Sequence, residues 1–347
     1  MVFEKLVTKF IMLNKTIIDQ FNLLIKQVQL DIDYSSGKTQ VVHTYRLKSI
    51  NDALKAIQKF PKTIKSSDDL KGIKGIGKGT LDRVDEILEF GKLAEIKVTK
   101  IDQTYLNLVN QLEKVFGIGR KKAYDLFVHH DIKTIADLKK KVKSGDIELP
   151  DNITKGLKYV DKIKENIPRE EIDKLGTILT KTLKNIDPEL FGIICGSYRR
   201  LASKSGDVDY IIVHPKLKNK DSANKSKYNY LEQVIQSLKE QKIIVDSLTS
   251  ESVPTKYMGL FRLTPKSNLR RIDIRFIPYE SYYSAILYFT GSRDFNKKMR
   301  RVAMDMGYVL NEYGLFDENG KMFKVKSEND IFDLLGMEWL APEKRLG

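Results

Sequence analysis

Two aspartates one residue apart, Asp207 and Asp209, stand at the start of the apolar run VDYIIV, which has the composition of a buried strand. Residues two apart in a strand point to the same side, so the two carboxylates face and repel each other. This arrangement lowers stability unless a positive group lies between them. The pair therefore predicts a cation site at this strand.

A third carboxylate, Asp273, lies in RRIDIRFIP at 270–278, where Arg271 and Arg275 share its side of the predicted strand and apolar residues occupy the other. If the two strands are neighbours, the three carboxylates form an oxygen-rich cluster suited to two Mg²⁺ ions, with Mn²⁺ as a substitute. Two cations held in this way lower the pKa of an attacking hydroxyl and bind the departing phosphate oxygens. The chemistry predicted is attack of a hydroxyl on a phosphate.

An isolated Asp-x-Asp is usually a solvated strand end, and the residues upstream argue against that explanation. Gly196 and Ser197 are followed by Arg199 and Arg200. A Gly-Ser turn that begins a helix offers backbone N–H and hydroxyl donors to a triphosphate, and an arginine adds a fork of donors. The pattern favours a nucleotide-binding site beside the carboxylates.

The elements that must position these residues change character along the chain. Residues 15–30 and the segment SINDALKAIQKF before Pro61 have apolar residues at helical spacing. From about residue 167, short β-branched runs alternate with helical segments, and the tail from 286 mixes helix with short strands. We therefore expect several domains: an all-helical N-terminal half, then a mixed α/β part and a small α+β C-terminal subdomain.

Two Gly-Ile-Gly turns, each between predicted helices, occur within residues 70–93 and 112–127. The first nearly spells the phosphate-binding loop of nucleoside triphosphatases, but Gly79 replaces the Ser or Thr that reaches magnesium and no strand precedes it. A Gly-x-Gly turn that opens a helix points unpaired backbone N–H groups outwards, which binds phosphate without reading sequence. One such turn alone is explained by a helix C-cap and a loop, whereas two in a basic chain favour helix-hairpin-helix contacts with DNA. The predicted contacts are Lys71, Gly75, Gly77, Lys78, Gly117 and Gly119.

The net charge of +15 over 347 residues favours a polyanionic partner, with nucleic acid ahead of a membrane. A bias towards Lys, Asn and Ile, as AT-rich genomes encode, is the alternative explanation. No apolar run is long enough to span a bilayer, and the opening MVFEKLVTKFIML is too often interrupted by charge for a signal peptide. The single cysteine, Cys195, excludes an internal disulfide and a multi-cysteine zinc site, and an intracellular location is expected.

The segment GSYRRLASKSGDVDYIIVHP resembles the nucleotidyltransferase signature of family X DNA polymerases. RRIDIRFIPYESYYSAILYFTGSRDFNKKMR and NEYGLF…DIFDLLGMEWLAPEKR closely resemble the polymerase β branch of that family, and the resemblance extends from about residue 14 to 342. It implies four parts: a helical domain with the first hairpin at 1–98, a DNA-binding helical subdomain with the second hairpin at 99–166, a nucleotidyltransferase palm with a mixed sheet at 167–277, and a nucleotide-selection subdomain at 278–347.

The resemblance also implies roles for the palm residues. The metal ligands are Asp207, Asp209 and Asp273, with Asp273 facing the primer 3′-hydroxyl, and the triphosphate contacts are Ser197, Arg200, Ser205 and Gly206. Arg275 is expected to pair with Asp209 in an open state and to move towards Glu312 and Tyr313 on closing. Such a switch would assemble the site only after the nucleotide binds.

In the C-terminal part the resemblance implies contacts with nucleotide and DNA. They are Tyr288, Phe289 and Gly291 at the sugar, Asn296 at the base edge, Lys297 at the templating base, and Arg300 and Arg271 on DNA. The Tyr288-Phe289 pair differs from that of template-independent relatives, which favours templated synthesis. Arg293 stands where polymerase β has an acid, and its effect, tighter triphosphate binding or altered base discrimination, is left open.

The helical domain departs from the family pattern at one position. The lysine that forms a Schiff base with 5′-deoxyribose phosphate in polymerase β corresponds here to Arg83, in LDRVDEIL. A guanidinium stays protonated and cannot be the amine nucleophile, so lyase activity is in doubt. Arg83 is still expected to bind a 5′-phosphate on DNA.

The resemblance thus implies a monomeric DNA-directed DNA polymerase that fills short gaps in base excision repair, with gapped or nicked DNA and dNTPs as partners. A monovalent cation at each hairpin is a further expectation. A template-independent or RNA nucleotidyltransferase and an inactive DNA-binding scaffold are the alternatives. The basic run KKKVK at 139–143 is a poor nuclear signal, so the nucleus and a viral replication site both remain open as locations.

Overall fold

The computed structural model describes residues 14–97, 99–219, 229–250 and 255–346. The opening segment, which the sequence argues is not a signal peptide, lies outside these residues. The chain divides into two compact units, Met1–Ile153 and Thr154–Gly347. Residues 154–166 are tied to the second unit by the Tyr159 hydroxyl, which donates to Asp246 at 2.8 Å. This explains why the division falls ahead of residue 167, where the sequence places the start of the palm.

The first unit is helical in its described part, which confirms the predicted all-helical N-terminal half. Its helices are α1 (Lys15–Asp33), α2 (Gly37–Lys59), α3 (Lys78–Phe90), α4 (Lys100–Leu112), α5 (Arg120–His130), α6 (Ile135–Ser144) and α7 (Asp151–Tyr159), which continues into the second unit; a 3₁₀ turn spans Ser67–Leu70. Apolar spacing in α1 and α2 buries Phe21, Leu24 and Ile57 in the core of this unit. Helix α2 ends ahead of Pro61, because a residue that precedes proline disfavours helical dihedral angles.

The second unit contains a mixed five-stranded sheet. The strands of the whole unit are β1 (Ile167–Pro168), β2 (Phe191–Ile194), β3 (Lys204–Ser205), β4 (Val208–Val213), β5 (Ile244–Ser247), β6 (Lys256–Phe261), β7 (Arg270–Ile277), β8 (Val309–Asn311) and β9 (Gly314–Phe316); β1 pairs with β3, and β8 with β9, outside the five-stranded sheet. Its other helices are α8 (Arg169–Ile186), α9 (Gly196–Arg199), α10 (Tyr230–Glu240), α11 (Tyr282–Thr290), α12 (Arg293–Asp305) and α13 (Glu328–Leu334), with 3₁₀ turns at Tyr279–Ser281 and Pro342–Lys344. The order in the sheet is β2-β4-β7-β6-β5; β4 and β7 are parallel, and the other neighbours are antiparallel.

Helices cover both faces of this sheet, because the central strands are apolar on both sides. On one face Ile212 packs in a core with Leu179 of α8 and Val234 of α10. On the other face Ile211, its neighbour in β4, packs with Ile286 of α11. The alternation of side chains along β4 places Asp209 on the same face as Ile211, the face that α11 covers.

The C-terminal part has a smaller core of its own. Phe295 and Met299 of α12, Leu315 of β9 and Phe332 of α13 are buried together. This α+β arrangement confirms the predicted class of the C-terminal subdomain. Among the described residues, the helices are too short or too polar to cross a membrane.

Candidate active site

The two strands that carry the aspartates are neighbours. Strands β4 and β7 run parallel with Asp209 directly opposite Asp273, and Asp207 lies just ahead of β4. Adjacent strands lie about 4.8 Å apart, so the three carboxylates come together on one side of the sheet. The alternation predicted for β7 is confirmed, because Ile272 and Ile274 are buried while Asp273 is partly exposed.

Burial and mutual repulsion raise the pKa values of this cluster. The pKa of Asp209 is raised to about 7, first because burial disfavours the charged carboxylate and second because Asp207 and Asp273 repel it. Burial also raises the pKa of Asp273, against the opposing effect of the Arg271 guanidinium. Binding of a cation lowers the free energy of a cluster of this kind, because it offsets the repulsion between the carboxylates.

Arg271 supplies a positive charge between these carboxylates. Its Nη2 lies 3.3 Å from Oδ2 of Asp207 and 3.1 Å from Oδ2 of Asp273. Burial disfavours the charge, but the carboxylates of Asp273 and Asp207 raise the pKa of Arg271. The sequence assigns Arg271 to DNA, whereas the structure places its guanidinium on the predicted metal ligands.

The donor set fits a divalent cation. Three carboxylates offer only oxygen ligands, which Mg²⁺ and Mn²⁺ prefer. The backbone approaches Asp209 closely, because Cys195 donates its N–H to the Asp209 carbonyl at 2.8 Å. A Cβ at Gly196, where φ is +58°, would collide with Oδ2 of Asp209. Glycine at this position therefore keeps the carboxylate and the start of α9 side by side.

The predicted triphosphate contacts surround α9. Ser197 lies in its only turn, and Arg200 follows its end. The Nη1 of Arg200 donates to the carbonyl of Thr290, while its buried Nε has no hydrogen-bond partner among the described residues. Ser205 is buried in β3, and Gly206 after it is exposed. These donors therefore lie on the chain immediately before the first aspartate.

The segment predicted to contact the nucleotide sugar ends helix α11. The rings of Tyr288 and Phe289 meet edge to face with centroids 5.0 Å apart. Arg300 lies over the Tyr288 ring at 4.9 Å, and Arg275 lies over the Phe289 ring at 5.6 Å. Asn296, expected at the base edge, donates its amide to the Tyr288 carbonyl at 2.6 Å. The aromatic pair is thus flanked by two guanidiniums.

The contact expected of Arg275 meets a different local geometry, whereas the roles expected of Glu312, Tyr313, Lys297 and Gly291 stay predictions. The described residues contain no ion pair between Arg275 and Asp209, because Arg275 lies further along β7, opposite Ile211. Glu312 and Tyr313, its expected partners on closing, form the turn between β8 and β9. Separately, Lys297 pairs with Asp294 at 3.2 Å on the exposed side of α12, and Gly291, at φ +65°, precedes a cis peptide bond.

A second acidic cluster lies elsewhere in the same unit, where Asp187, Glu189 and His214 bring ligand atoms within 4.8 Å of one another. Hydrogen bonds already occupy these atoms. His214 Nδ1 accepts the backbone N–H of Lys216, so its Nε2 donates to Asp187 at 3.3 Å. Asp187 also accepts from the Tyr230 hydroxyl at 2.7 Å. The cluster is explained as a structural hydrogen-bond network.

In the first unit, the two Gly-Ile-Gly turns share one geometry. Gly75 and Gly117 have φ of +94° and +87°, in the left-handed region that favours glycine. Gly77 and Gly119 are the N-caps of α3 and α5, with extended backbone and no side-chain cap. The first N–H groups of both helices are therefore left for an external acceptor such as a phosphate.

The two turns differ in what surrounds them. The first is entered from the 3₁₀ turn at Ser67–Leu70 and the second from α4. Lys71 pairs with Asp68 at 2.5 Å, and the hydrogen bond and charge of Asp68 raise the pKa of Lys71. Lys78 is the first, exposed residue of α3. Of these two lysines, only Lys78 lies at the helix N-terminus itself.

Arg83, the residue at the position of the Schiff-base lysine, is held by other protein groups. Its Nε donates to Glu95 at 2.5 Å and its Nη1 to the carbonyl of Gly79 at 2.9 Å. Arg46 binds the same carboxylate at 2.5 Å. Burial opposes the charge of Glu95, but the hydrogen bonds and charges of Arg83 and Arg46 lower its pKa. A 5′-phosphate at Arg83 must therefore compete with Glu95.

Comparison with known protein families assigns both units. The family described as DNA polymerase beta palm matches residues 166–279, and DNA polymerase beta thumb matches 285–346. A helix-hairpin-helix domain matches 12–93. The chain belongs to family X of the DNA polymerases. The resemblance found in its motifs is thereby confirmed.

Individual members of this family are similar over most of the chain. The DNA polymerase lambda of Arabidopsis thaliana is 31% identical over 314 residues, covering 84% of this chain and 56% of the relative. The DNA polymerase lambda of Rattus norvegicus is 29% identical, covering 84% and 51%. The DNA nucleotidylexotransferase of Xenopus laevis is 25% identical, covering 96% and 68%. The chain spans about half the length of the two lambda polymerases.

Sequence reasoning missed two carboxylates of this family X chain, Glu95 and Glu328. Glu95 holds Arg83 and Arg46, and Glu328 holds Arg199. The separation of Glu328 from Arg199 is 129 residues, so no local pattern signals the pair. Only the folded chain shows that these arginines are already paired with protein carboxylates.

Proposed function

We propose that the chain is a DNA-directed DNA polymerase that fills short gaps by transferring a nucleotide from a dNTP to a primer 3′-hydroxyl. The observation that carries this proposal is the parallel register that sets Asp209 against Asp273, with Asp207 beside them and Arg271 between. The register supports a site for two divalent cations, which, when bound, would lower the pKa of the primer hydroxyl and neutralise charge on the phosphates.

The chain's own residues divide the remaining work. Asp273, on β7, would bind a cation near the primer 3′-hydroxyl. Asp207 and Asp209 would bind cations nearer the triphosphate. The N-terminal N–H groups of α9, the Ser197 hydroxyl and the Arg200 guanidinium bind the phosphates of the dNTP. Cations held by these carboxylates would compete with Arg271, because both are attracted to the same negative charges. A guanidinium released in this way would be available for a DNA phosphate.

The helical unit binds DNA through the two Gly-x-Gly turns. Their free N–H groups contact phosphates and carry no sequence preference. Arg83, which is paired with Glu95, lies where the 5′ side of a gap would bind. Its guanidinium offers no amine for a Schiff base. We therefore expect no deoxyribose-phosphate lyase activity through Arg83, and 5′-phosphate binding relies on the turn at Gly75 and Gly77 and on Lys78.

Primer extension on a duplex with a one-nucleotide gap tests the proposal. With Mg²⁺ and the complementary dNTP, the chain is expected to add one nucleotide. Asp273→Asn should lower the rate by about three orders of magnitude or more, while the affinity for gapped DNA stays within about threefold. Asp305→Asn, an exposed carboxylate on α12, is the matched control and should extend normally.

The same assay separates the alternatives. Extension of a single-stranded primer without template would show a template-independent transferase, the type named by the Xenopus relative. No extension on either substrate, together with intact DNA binding, would show a binding scaffold. Activity of Asp273→Asn within about tenfold of the unaltered chain would remove Asp273 from the chemistry.

A further inference from the structure

A buried arginine near the end of the chain has no role in the chemistry proposed above. The side chain of Arg345 is 0% exposed. Its guanidinium lies over the rings of Phe295, Phe332 and Trp339, at 5.8, 5.4 and 4.9 Å from their centroids. Burying a guanidinium costs free energy unless a carboxylate and hydrogen bonds compensate. An apolar side chain would fill this aromatic cage with a smaller desolvation penalty than a guanidinium. The charge of Arg345 therefore indicates a role beyond packing.

The Arg345 guanidinium binds the carboxylate of Glu328, which Arg199 also binds. Arg345 donates from Nη1 to Oε1 of Glu328 at 2.7 Å and from Nε to the Leu340 carbonyl at 2.8 Å. Glu328 is 8% exposed. Arg199 donates to its two carboxylate oxygens at 2.6 and 3.1 Å. One buried carboxylate therefore joins two guanidiniums that are far apart in the sequence.

Arg199 connects this pair to the predicted triphosphate contacts. It ends α9, and its Nη1 donates to the Thr290 hydroxyl at 2.7 Å. Arg200, the next residue, donates to the carbonyl of the same threonine. The Arg345 backbone carbonyl also accepts the N–H of Ser292, the N-cap of α12, at 2.9 Å. Arg345 thus contacts the N-cap of α12 directly and is linked to α9 through Glu328 and Arg199.

Helix α9 depends on such external support. It has four residues and no side-chain cap, and a single helical turn is unfavourable by itself. The contacts of Arg199, together with those that Tyr198 makes with Asp173 and Arg169, therefore hold the turn that carries Ser197 and Arg200. Two guanidiniums and one carboxylate also leave one net positive charge next to the site for a polyanionic ligand.

We propose that Arg345 is a positioning residue for the incoming nucleoside triphosphate, acting through Glu328 and Arg199 on helix α9. The inference rests on the proposed polymerase function and extends it to a residue outside the predicted site. A displacement of about 1 Å in a binding group can cost up to about a hundredfold, so a loosened α9 has a measurable effect.

Steady-state gap filling by Arg345→Met provides the test, because Met keeps most of the volume in the aromatic cage. The KM for the dNTP should rise about tenfold, and kcat should stay within about threefold, since the carboxylates that act on the primer are untouched. Arg301→Met, an exposed arginine of α12, is the matched control and should leave both constants unchanged. The affinity for gapped DNA should be the same in all three proteins.

Two measurements distinguish positioning from a merely structural role. A structural role would lower the unfolding midpoint, read from the single tryptophan Trp339, without changing KM at a temperature where the variant is folded. In a double-mutant cycle, Arg199→Met should raise KM about as much as Arg345→Met, and the double variant should be no worse than either single one. Additive effects would show that Arg345 does not act through Arg199.

If Arg345→Met does not fold, Arg345→Lys takes its place, since Lys keeps the charge and one donor. Its KM should rise about threefold. A dNTP KM equal to that of the unaltered chain in the variant that folds would overturn the positioning role. Failure of the unaltered chain to extend a primer would instead overturn the proposed polymerase function, so the two failures are distinguishable.

Discussion

We expect Asp209 to lower the free energy of unfolding of the cation-free protein. The difference in this free energy between Asp209→Asn and the unaltered protein gives the size of the effect. The rise of the Asp209 pKa from 3.8 to about 7 means that the folded state prefers the protonated carboxyl. The stability contributed by this group is therefore fully present below about pH 4 and is lost as the pH rises through about 7. At 1.36 kcal/mol for each tenfold change in proton affinity, the total loss is about 4 kcal/mol at pH 8.

The pH difference is more informative than the absolute value, because replacing Asp by Asn also changes hydrogen bonding. Less than half of this loss has occurred at pH 5, and the remaining 2 to 3 kcal/mol, roughly, falls between pH 5 and pH 8. Asp209→Asn cannot ionise, so its advantage over the unaltered protein should grow by about that amount over this interval.

Urea unfolding in the presence of a chelator, followed by Trp339 fluorescence, gives both free energies for the second unit. Asp305→Asn, in an exposed ion pair, should show no such pH-dependent advantage. A gap between Asp209→Asn and the unaltered protein that is the same at pH 5 and pH 8 would refute the electrostatic reasoning. Asp209→Asn should also lose nucleotide addition, because the same repulsion that destabilises the cluster makes it a cation site.

Three further outcomes are expected. Binding of gapped DNA should weaken steeply with salt and depend little on flanking sequence, because phosphate contacts release condensed counterions; a flat plot of log Kd against log salt would contradict this. Gly117→Ala should lower the unfolding free energy of the first unit by about 2 kcal/mol, since φ is +87° and a Cβ would lie 2.8 Å from Ile153, whereas Gly119→Ala, with open space, should cost less than about 1 kcal/mol. Borohydride should trap no adduct on a 5′-incised abasic duplex, and Arg83→Lys should not restore trapping unless Glu95→Gln is added, because Glu95 would keep the new amine protonated; efficient trapping by the unaltered chain would show that another lysine is the nucleophile.

Much of the fold follows from local patterns in the chain. Apolar spacing predicts helix α1, Gly-Ile-Gly predicts the turns that open α3 and α5, and alternation in RRIDIRFI predicts which side of β7 carries Asp273. These features depend on neighbours within one or two turns or pleats, so a single segment contains the information. The unit division at Ile153 does not follow, because it depends on contacts such as Tyr159 with Asp246.

The sequence by itself determined that Asp207 and Asp209 face the same side, that Asp273 is alone on its strand, and that a Gly-Ser turn precedes them, since strand period and helix caps are local properties. Only the tertiary structure decided that β4 and β7 are parallel neighbours with Asp209 opposite Asp273, and that Arg271 lies between the carboxylates. It alone paired Glu328 with Arg199, 129 residues away, and with the buried Arg345. The physical reason is that ion pairs and strand partners minimise the free energy of the whole chain, and their cost or gain depends on burial that no single segment defines.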